Sequence, residues 1–533
     1  MDNQTKNLPF SLLFFSLIFS SFLHPAFCRG GVESYALPGY ENDTYGGHGR
    51  SLIVKDQAQR SADVAKGYMT NTELGDAIKA FGQRCSNISR IYSIGKSVNG
   101  VPLWVIEISN KAGEEEAKPA FKYIGNVHGD EPVGRELLML LANWICNNYM
   151  KDPLATLIVE NVHLHILPSM NPDGFALRQR GNAKNIDLNR DFPDQFFPWN
   201  DDLNSRQPET KAIMKWLKEI HFTASASLHG FTASCQYPGK RIKTPSGRIM
   251  HNEIYVNHTY VVSFTFEGAL VANYPWDGTQ DKRRNYYACP DDETFRFLAS
   301  AYSRSHHNMS LSKEFQEGIT NGAYWYPIYG GMQDWNYIHG GCFELTLEIS
   351  DNKWPPAYEL PTLWEYNRMS MLNLVLTLVQ TGVHGRIFSS DTGRPLPGAI
   401  TIEGINYTLK TSQGFADYHR LLPLGGRYKV VATAPGYRSK TTAIWLAEAA
   451  TTVDFVLDPE VTPEGNPLRS ACVCDCGSLS AEGFVDFVRG AHFELSLILI
   501  VSLIFLCFLL QRRIRSNLSK QRQFVGSKRP VAV

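Results

Sequence analysis

Apolar residues follow two different periods between residues 70 and 380, and the two alternate along the chain. Leu137, Leu138, Leu141, Trp144 and Ile145 recur at three- and four-residue spacing behind Pro132, which predicts a helix with one buried face. Thr70-Asn71-Thr72-Glu73 has the form of a capping box and predicts a helix running to Gln83. Further helices are expected over 207–220 and 358–380, while short β-rich runs fall at 101–108, 121–127, 162–167, 222–228 and 342–349. The last run places Glu344 and Glu348 on one face and Phe343, Leu345 and Leu347 on the other, because strand side chains alternate. Strands alternating with helices predict an α/β sheet that carries its chemistry at strand ends.

From Gly382 the helical period disappears. Runs at 383–388, 399–403, 428–433 and 451–457 are separated by Asp391-Thr392-Gly393, Gly425-Gly426 and Pro435-Gly436, which predicts a small all-β module over 382–458. It contains no cluster of metal ligands or nucleophiles, so a structural or docking role is expected. Residues 29–54 read as a flexible lead-in, 55–381 as the α/β domain and 459–492 as a stalk.

The two ends of the chain predict its compartment. Lys6, the apolar run 8–23 and Ala26-Phe27-Cys28 form a signal peptide over 1–28. Residues 495–510 carry no charge and are followed by Arg512, Arg513, Arg515, Lys520, Arg522, Lys528 and Arg529, which predicts a transmembrane helix over 493–511 and a basic cytoplasmic tail over 512–533. The chain between them should face the lumen or the outside, a single-pass arrangement with which sequons at Asn42, Asn87, Asn308 and Asn406 agree. Lys+Arg and Asp+Glu both number 52, so nothing favours nucleic acid as a partner. Of ten cysteines, eight lie between the signal and the membrane run, where disulfides are plausible but their connectivity cannot be read.

His128-Gly129-Asp130-Glu131 follows a predicted strand, so an imidazole and a carboxylate three residues apart can converge on one point. His229 ends a separate strand and completes a His2Glu set for zinc, with a fourth position open to water. Such a pair is weak alone in a chain with 15 His, and His163 and His165, alternating along a strand, are expected to be packing or surface residues. The company of the first set strengthens it: Asn171-Pro172-Asp173-Gly174, Arg180, and Asp187-Leu188-Asn189-Arg190-Asp191-Phe192-Pro193-Asp194.

With these motifs, with 321–326 (Asn-Gly-Ala-Tyr-Trp-Tyr), 331–337 (Gly-Met-Gln-Asp-Trp-Asn-Tyr) and 342–348 (Cys-Phe-Glu-Leu-Thr-Leu-Glu), the chain closely resembles the regulatory metallocarboxypeptidases, the branch of carboxypeptidases D, E, N and M. The resemblance covers about 55–458, the all-β module resembling that branch's transthyretin-like sandwich; signal, tail and single catalytic domain look most like a membrane-anchored, plant-type relative of carboxypeptidase D. It implies one zinc held by His128, Glu131 and His229, with Glu348 as general base and Arg180 stabilising the oxyanion. It also implies that Asn189 and Arg190 grip the substrate's terminal carboxylate and that Tyr326 covers the bound end. Asp277, assisted by Gln333, would pair with a C-terminal Arg or Lys, released from secretory-pathway peptides or proprotein fragments.

One segment departs from the family pattern. Residues 231–267 intervene between His229-Gly230 and Gly268, and removing them restores the pattern without a gap. Either a retained intron or a genuine loop accounts for them. If genuine, the loop could displace His229 or Asp277 and leave a catalytically silent, carboxypeptidase-like binding protein, which is the alternative from a different class. A zinc amidohydrolase sharing the ligand spacing is disfavoured by Asn189-Arg190 and Tyr326.

Overall fold

The computed structural model describes residues 67–198, 202–230 and 270–460, together with a two-strand pair, Tyr255–Val256 and Tyr260–Val261. The expected signal peptide, lead-in, stalk, membrane helix and tail, and most of 231–267, lie outside the described residues. No described helix is long and apolar enough to cross a membrane.

An eight-stranded sheet organises residues 67–380. Its strands are β1 (Ser89–Lys96), β2 (Pro102–Ile108), β3 (Ala120–Gly125), β4 (His163–Leu167), β5 (Phe222–His229), β8 (Val271–Tyr274), β9 (Ile319–Asn321) and β10 (Phe343–Glu348); β6 and β7 are the short pair named above. The spatial order is β1-β2-β4-β3-β5-β10-β8-β9. The central β4-β3-β5-β10 pairs are parallel, whereas β1-β2, β2-β4 and β10-β8 are antiparallel, so the sheet is mixed. Parallel strands need both faces covered, and every residue of β3, β5 and β10 is buried.

Side-chain alternation divides that burial between two cores. Phe121, Tyr123, Leu345 and Leu347 join the core capped by helices Asn71–Arg84, Val133–Asn148, Asp292–Ser305 and Leu360–Gln380, while Ala120 and Ile124 join the one under helix Pro208–Glu219. Helix Asn71–Arg84 begins on the expected capping box, with Thr70 and Glu73 exchanging hydrogen bonds, and turns Leu74, Ile78 and Phe81 inward. Glu344 falls on the opposite face from Phe343, where its carboxylate meets the Lys122 ammonium at 3.4 Å, both side chains fully buried. β1, β8, β9 and helices Pro153–Asn161 and Asp292–Ser305 are not among the elements expected from the sequence, although the last carries Phe295, Leu298, Ala299 and Tyr302 at helical spacing and was legible. A Cys85–Cys146 disulfide ties helix Asn71–Arg84 to helix Val133–Asn148; Cys289 and Cys342 are buried free thiols.

Residues 383–457 form two sheets around a core of Val383, Ile387, Ile400, Val430, Leu446 and Phe455. One contains β11 (Val383–Ser389), β14 (Asp417–Arg420), β17 (Thr451–Thr452) and β18 (Phe455–Leu457); the other contains β12 (Ala399–Ile402), β13 (Thr408–Lys410), β15 (Gly426–Thr433) and β16 (Lys440–Leu446).

Candidate active site

The C-terminal ends of three neighbouring parallel strands build the site. His128 follows β3, His229 ends β5 and Glu348 ends β10, with Glu348 directly beside His229 in the ladder. Parallel strands bring their carboxyl ends to one edge, where a crevice can open. The turn after β3 is set by Asn126, at φ 54°, whose amide donates to the His128 carbonyl at 2.8 Å. Gly129 is required there, because a Cβ would stand 2.0 Å from the Gly174 carbonyl carbon. The Asn171-Pro172-Asp173-Gly174 motif is therefore a backbone wall behind the ligand turn: Asn171 caps helix Pro172–Leu177 and its side chain also donates to the carbonyls of Val127 and Arg180.

Three donor atoms converge. His128 Nδ1 lies 2.9 Å and His229 Nδ1 3.0 Å from Glu131 Oε2, and the two nitrogens are 3.1 Å apart. Ligands 2.0–2.1 Å from a tetrahedral zinc stand roughly 3.3 Å from one another, close to this triangle. The hydrogen-bond pattern demands a cation too. His128 Nε2 faces Asp187 Oδ1 at 3.1 Å, so the imidazole donates its N–H there and turns the Nδ1 lone pair toward a carboxylate oxygen. Two lone pairs at that distance repel unless a proton or metal ion lies between them. Burial opposes charge on His128, yet Glu131 and Asp187 raise its pKa, and burial lowers that of His229. Burial would raise Glu131, but the two histidines hold it well below the carboxylate range. The set fits zinc.

Two groups that the sequence did not single out complete this shell. Asp187 accepts from Arg180 Nε at 2.9 Å as well as from His128, and Lys353 Nζ donates to Glu131 Oε1 at 2.9 Å. Asp187 was visible in the motif, but its partner was not; Lys353 approaches only through the loop after β10.

A cavity of about 470 Å³ opens over the triad. It is lined by Arg180, Asn189, Arg190, Asp277, Tyr326 and Glu348 as well as by the three donors. Glu348 is 7% exposed, and its Oε2 has no hydrogen-bond partner among the described residues. Burial, then the charge of Glu131, pushes its pKa up to about 8. Arg180 reaches Glu131 Oε1 at 3.3 Å. Asn189 accepts from the Met332 amide at 2.9 Å, which leaves its NH2 group as the donor it can offer a ligand. Tyr326 is 44% exposed at the mouth, its ring 4.7 Å from that of Trp325.

Asp277 lies in the cavity wall, 2% exposed, and burial pushes its pKa up to about 7. Asn273 and Gln333 donate to its Oδ1 at 3.3 and 2.9 Å, and its amide donates to Asp334 at 3.0 Å. Gln333 is fully buried behind Asp277 and does not line the cavity.

A second group, Glu107, His163 and His165, also brings donor atoms within 4.8 Å of one another. These are interior residues with several protein partners. Arg90 Nε meets Glu107 Oε2 at 2.9 Å, the Gly113 amide and His163 Nδ1 meet Oε1 at 2.9 and 3.1 Å, and Tyr92 meets His165 Nδ1 at 2.9 Å. These bonds tie the group into an internal network, in which His163 Nε2 stands 3.6 Å from Glu116 without a hydrogen bond among the described residues.

A zinc carboxypeptidase family model matches residues 74–370. Carboxypeptidase SOL1 of Arabidopsis thaliana is 60% identical over 524 residues, covering 98% of this chain and 99% of that protein. Human carboxypeptidase D is 38% identical over 410 residues, 73% of this chain but only 27% of that longer protein. The human carboxypeptidase N catalytic chain is 35% identical over 428 residues, covering 73% and 84%. The converging His2Glu set and these matches lead to one conclusion: the chain belongs to the zinc carboxypeptidase family.

Proposed function

We propose that this zinc carboxypeptidase removes a single C-terminal Arg or Lys from peptides or proprotein fragments of the secretory pathway. The observation that carries the specificity is Asp277, a buried carboxylate in the wall of the cavity that also holds Arg190 and the metal triad. Its desolvation is costly when it is ionised and alone, and a guanidinium or ammonium brought beside it offsets that cost.

The residue roles follow from charge and reach. His128, Glu131 and His229 would hold the zinc, which supplies Lewis acidity, lowering the pKa of water toward 7 and polarising a carbonyl. Arg190 offers a planar fork, and Asn189 an amide donor, to the substrate's terminal carboxylate; that grip restricts cleavage to the last bond. Glu348, buried beside the triad at the end of β10, accepts a proton from the attacking water and returns it to the departing amine. Arg180 places positive charge where the scissile carbonyl becomes anionic. Tyr326, exposed at the mouth, closes over the bound residue.

We assign the regions as a signal peptide (1–28), catalytic domain (55–381), transthyretin-like module (382–458), stalk (459–492), membrane helix (493–511) and cytoplasmic tail (512–533). Zinc content and product release from peptides ending in Arg, Lys, Phe or Asp test the assignment. About one zinc per chain and chelator-sensitive release of Arg and Lys are expected. Preferential release of Phe would overturn the specificity, and no release from a zinc-loaded chain would favour the silent binding protein.

A further inference from the structure

The β module touches the part of the catalytic domain that stands behind Asp277. Arg420, on β14, is fully buried and donates to Asp291 Oδ1 at 2.6 Å. Asp291 is also held by the Tyr337 hydroxyl, 2.6 Å from Oδ2. Tyr407, from the loop before β13, donates to the Tyr337 carbonyl at 3.0 Å and lays its ring on that of Tyr337, centroids 4.7 Å apart. Leu409 and Tyr407 also close on Gly341, the left-handed residue that ends helix Met332–Gly340; a Cβ there would stand 2.8 Å from Leu409 and 3.1 Å from the Tyr407 hydroxyl.

The same helix carries Gln333 one turn before Tyr337, and Gln333 and Asp334 are two of the three side chains that hold Asp277, the third being Asn273 on β8. The Tyr337 ring lies 5.5 Å from Trp276, the residue preceding Asp277. A continuous set of buried contacts therefore runs from Arg420 and Tyr407, through Tyr337 and its helix, to the carboxylate in the cavity wall. The helix also holds Asn189 through the Met332 amide and meets Glu344 on β10 through Asn336, whereas the metal triad stands on β3, β5 and their following turns.

We propose that Arg420 and Tyr407 are positioning residues for substrate recognition: the β module fixes helix Met332–Gly340 and thereby the carboxylate of Asp277. This inference rests on Asp277 as the group that receives the substrate's basic end. Removing a donor from a buried pair loosens what the pair positions, whereas a module that served only stability would change folding and leave selectivity alone.

The test uses the full zinc-loaded chain and calorimetric binding of two peptides, one ending in Arg and one in Phe, each with its last amide reduced so that it cannot be hydrolysed. Tyr407→Phe keeps the ring stack and loses one hydrogen bond; Arg420→Lys keeps the charge and loses the fork. The Arg peptide should bind about fivefold more weakly in Tyr407→Phe and about tenfold more weakly in Arg420→Lys, with the Phe peptide within about twofold and zinc stoichiometry unchanged. Ile400→Ala, in the module's own core, should lower the melting temperature and leave the Arg-to-Phe ratio intact. A ratio that survives both module substitutions, or falls equally in Ile400→Ala, overturns the proposal. An unaltered chain with no preference for Arg overturns the role of Asp277 itself, and this inference with it.

Discussion

Asp277 and Glu348 are both buried carboxylates with raised pKa values, yet their surroundings differ. Asp277 is held by Gln333, Asn273 and Asp334, which fixes it for binding; Glu348 has an oxygen without a partner among the described residues, which leaves it able to take a proton. In the role proposed for it, Asp277 must be ionised to pair with a basic end, and burial pushes its pKa up to about 7, so KM for an Arg-ended peptide should rise as pH falls from 8 to 5. Asp277→Asn should flatten that dependence and raise KM for Arg about 100-fold, with a Phe-ended peptide little changed. Steady-state kinetics across this pH range checks both outcomes. Glu348→Gln should lower kcat about a thousandfold with zinc retained, because proton transfer is lost and no metal ligand is touched. Asp187→Asn weakens the partner of His128 and should reduce zinc affinity about tenfold or more, read by competition with a graded chelator.

At the level of elements, the site depends on where strands stop and turns begin. The His128 turn packs so closely on helix Pro172–Leu177 that Gly129→Ala has no room; it should destabilise the chain by about 3 kcal/mol and release zinc, measurable by thermal denaturation and metal analysis. The segment 231–267 leaves from the end of β5 and returns just before β8, and both flanks lie beside Glu348: His229 pairs with it on one side and Val271 on the other. The neighbouring strands thus anchor both ends of the excursion. Joining Gly230 directly to Gly268 should keep zinc and peptide binding. Loss of both in the shortened chain would show that the segment helps to build the site.

Across the whole molecule, the Cys85–Cys146 bridge joins positions 61 apart and binds helix Asn71–Arg84 to the helix that follows the ligand turn. Its removal by paired Ser substitutions should cost about 2–4 kcal/mol and lower the melting temperature, with kcat preserved, since neither cysteine approaches the cavity. The β module contributes a buried ion pair, and the catalytic domain contributes everything that lines the cavity.

The ligand spacing of His128 and Glu131, the strand ends at His229 and Glu348, and the long amphipathic helices were legible in the sequence because they are local patterns: a turn, an alternation, a period. Family resemblance added Arg180, Asn189, Arg190, Asp277 and Tyr326, residues whose types alone locate nothing. The short strands β8 and β9 were not legible, because three or four residues carry no period. Tertiary structure alone decided who stands beside whom. It brought Asp187 to His128, Lys353 to Glu131 and Arg420 to Asp291, and it placed Gln333 behind Asp277 instead of in the cavity. Such pairings join residues up to 222 positions apart, and their energies depend on burial and distance, which exist only once the sheet has closed.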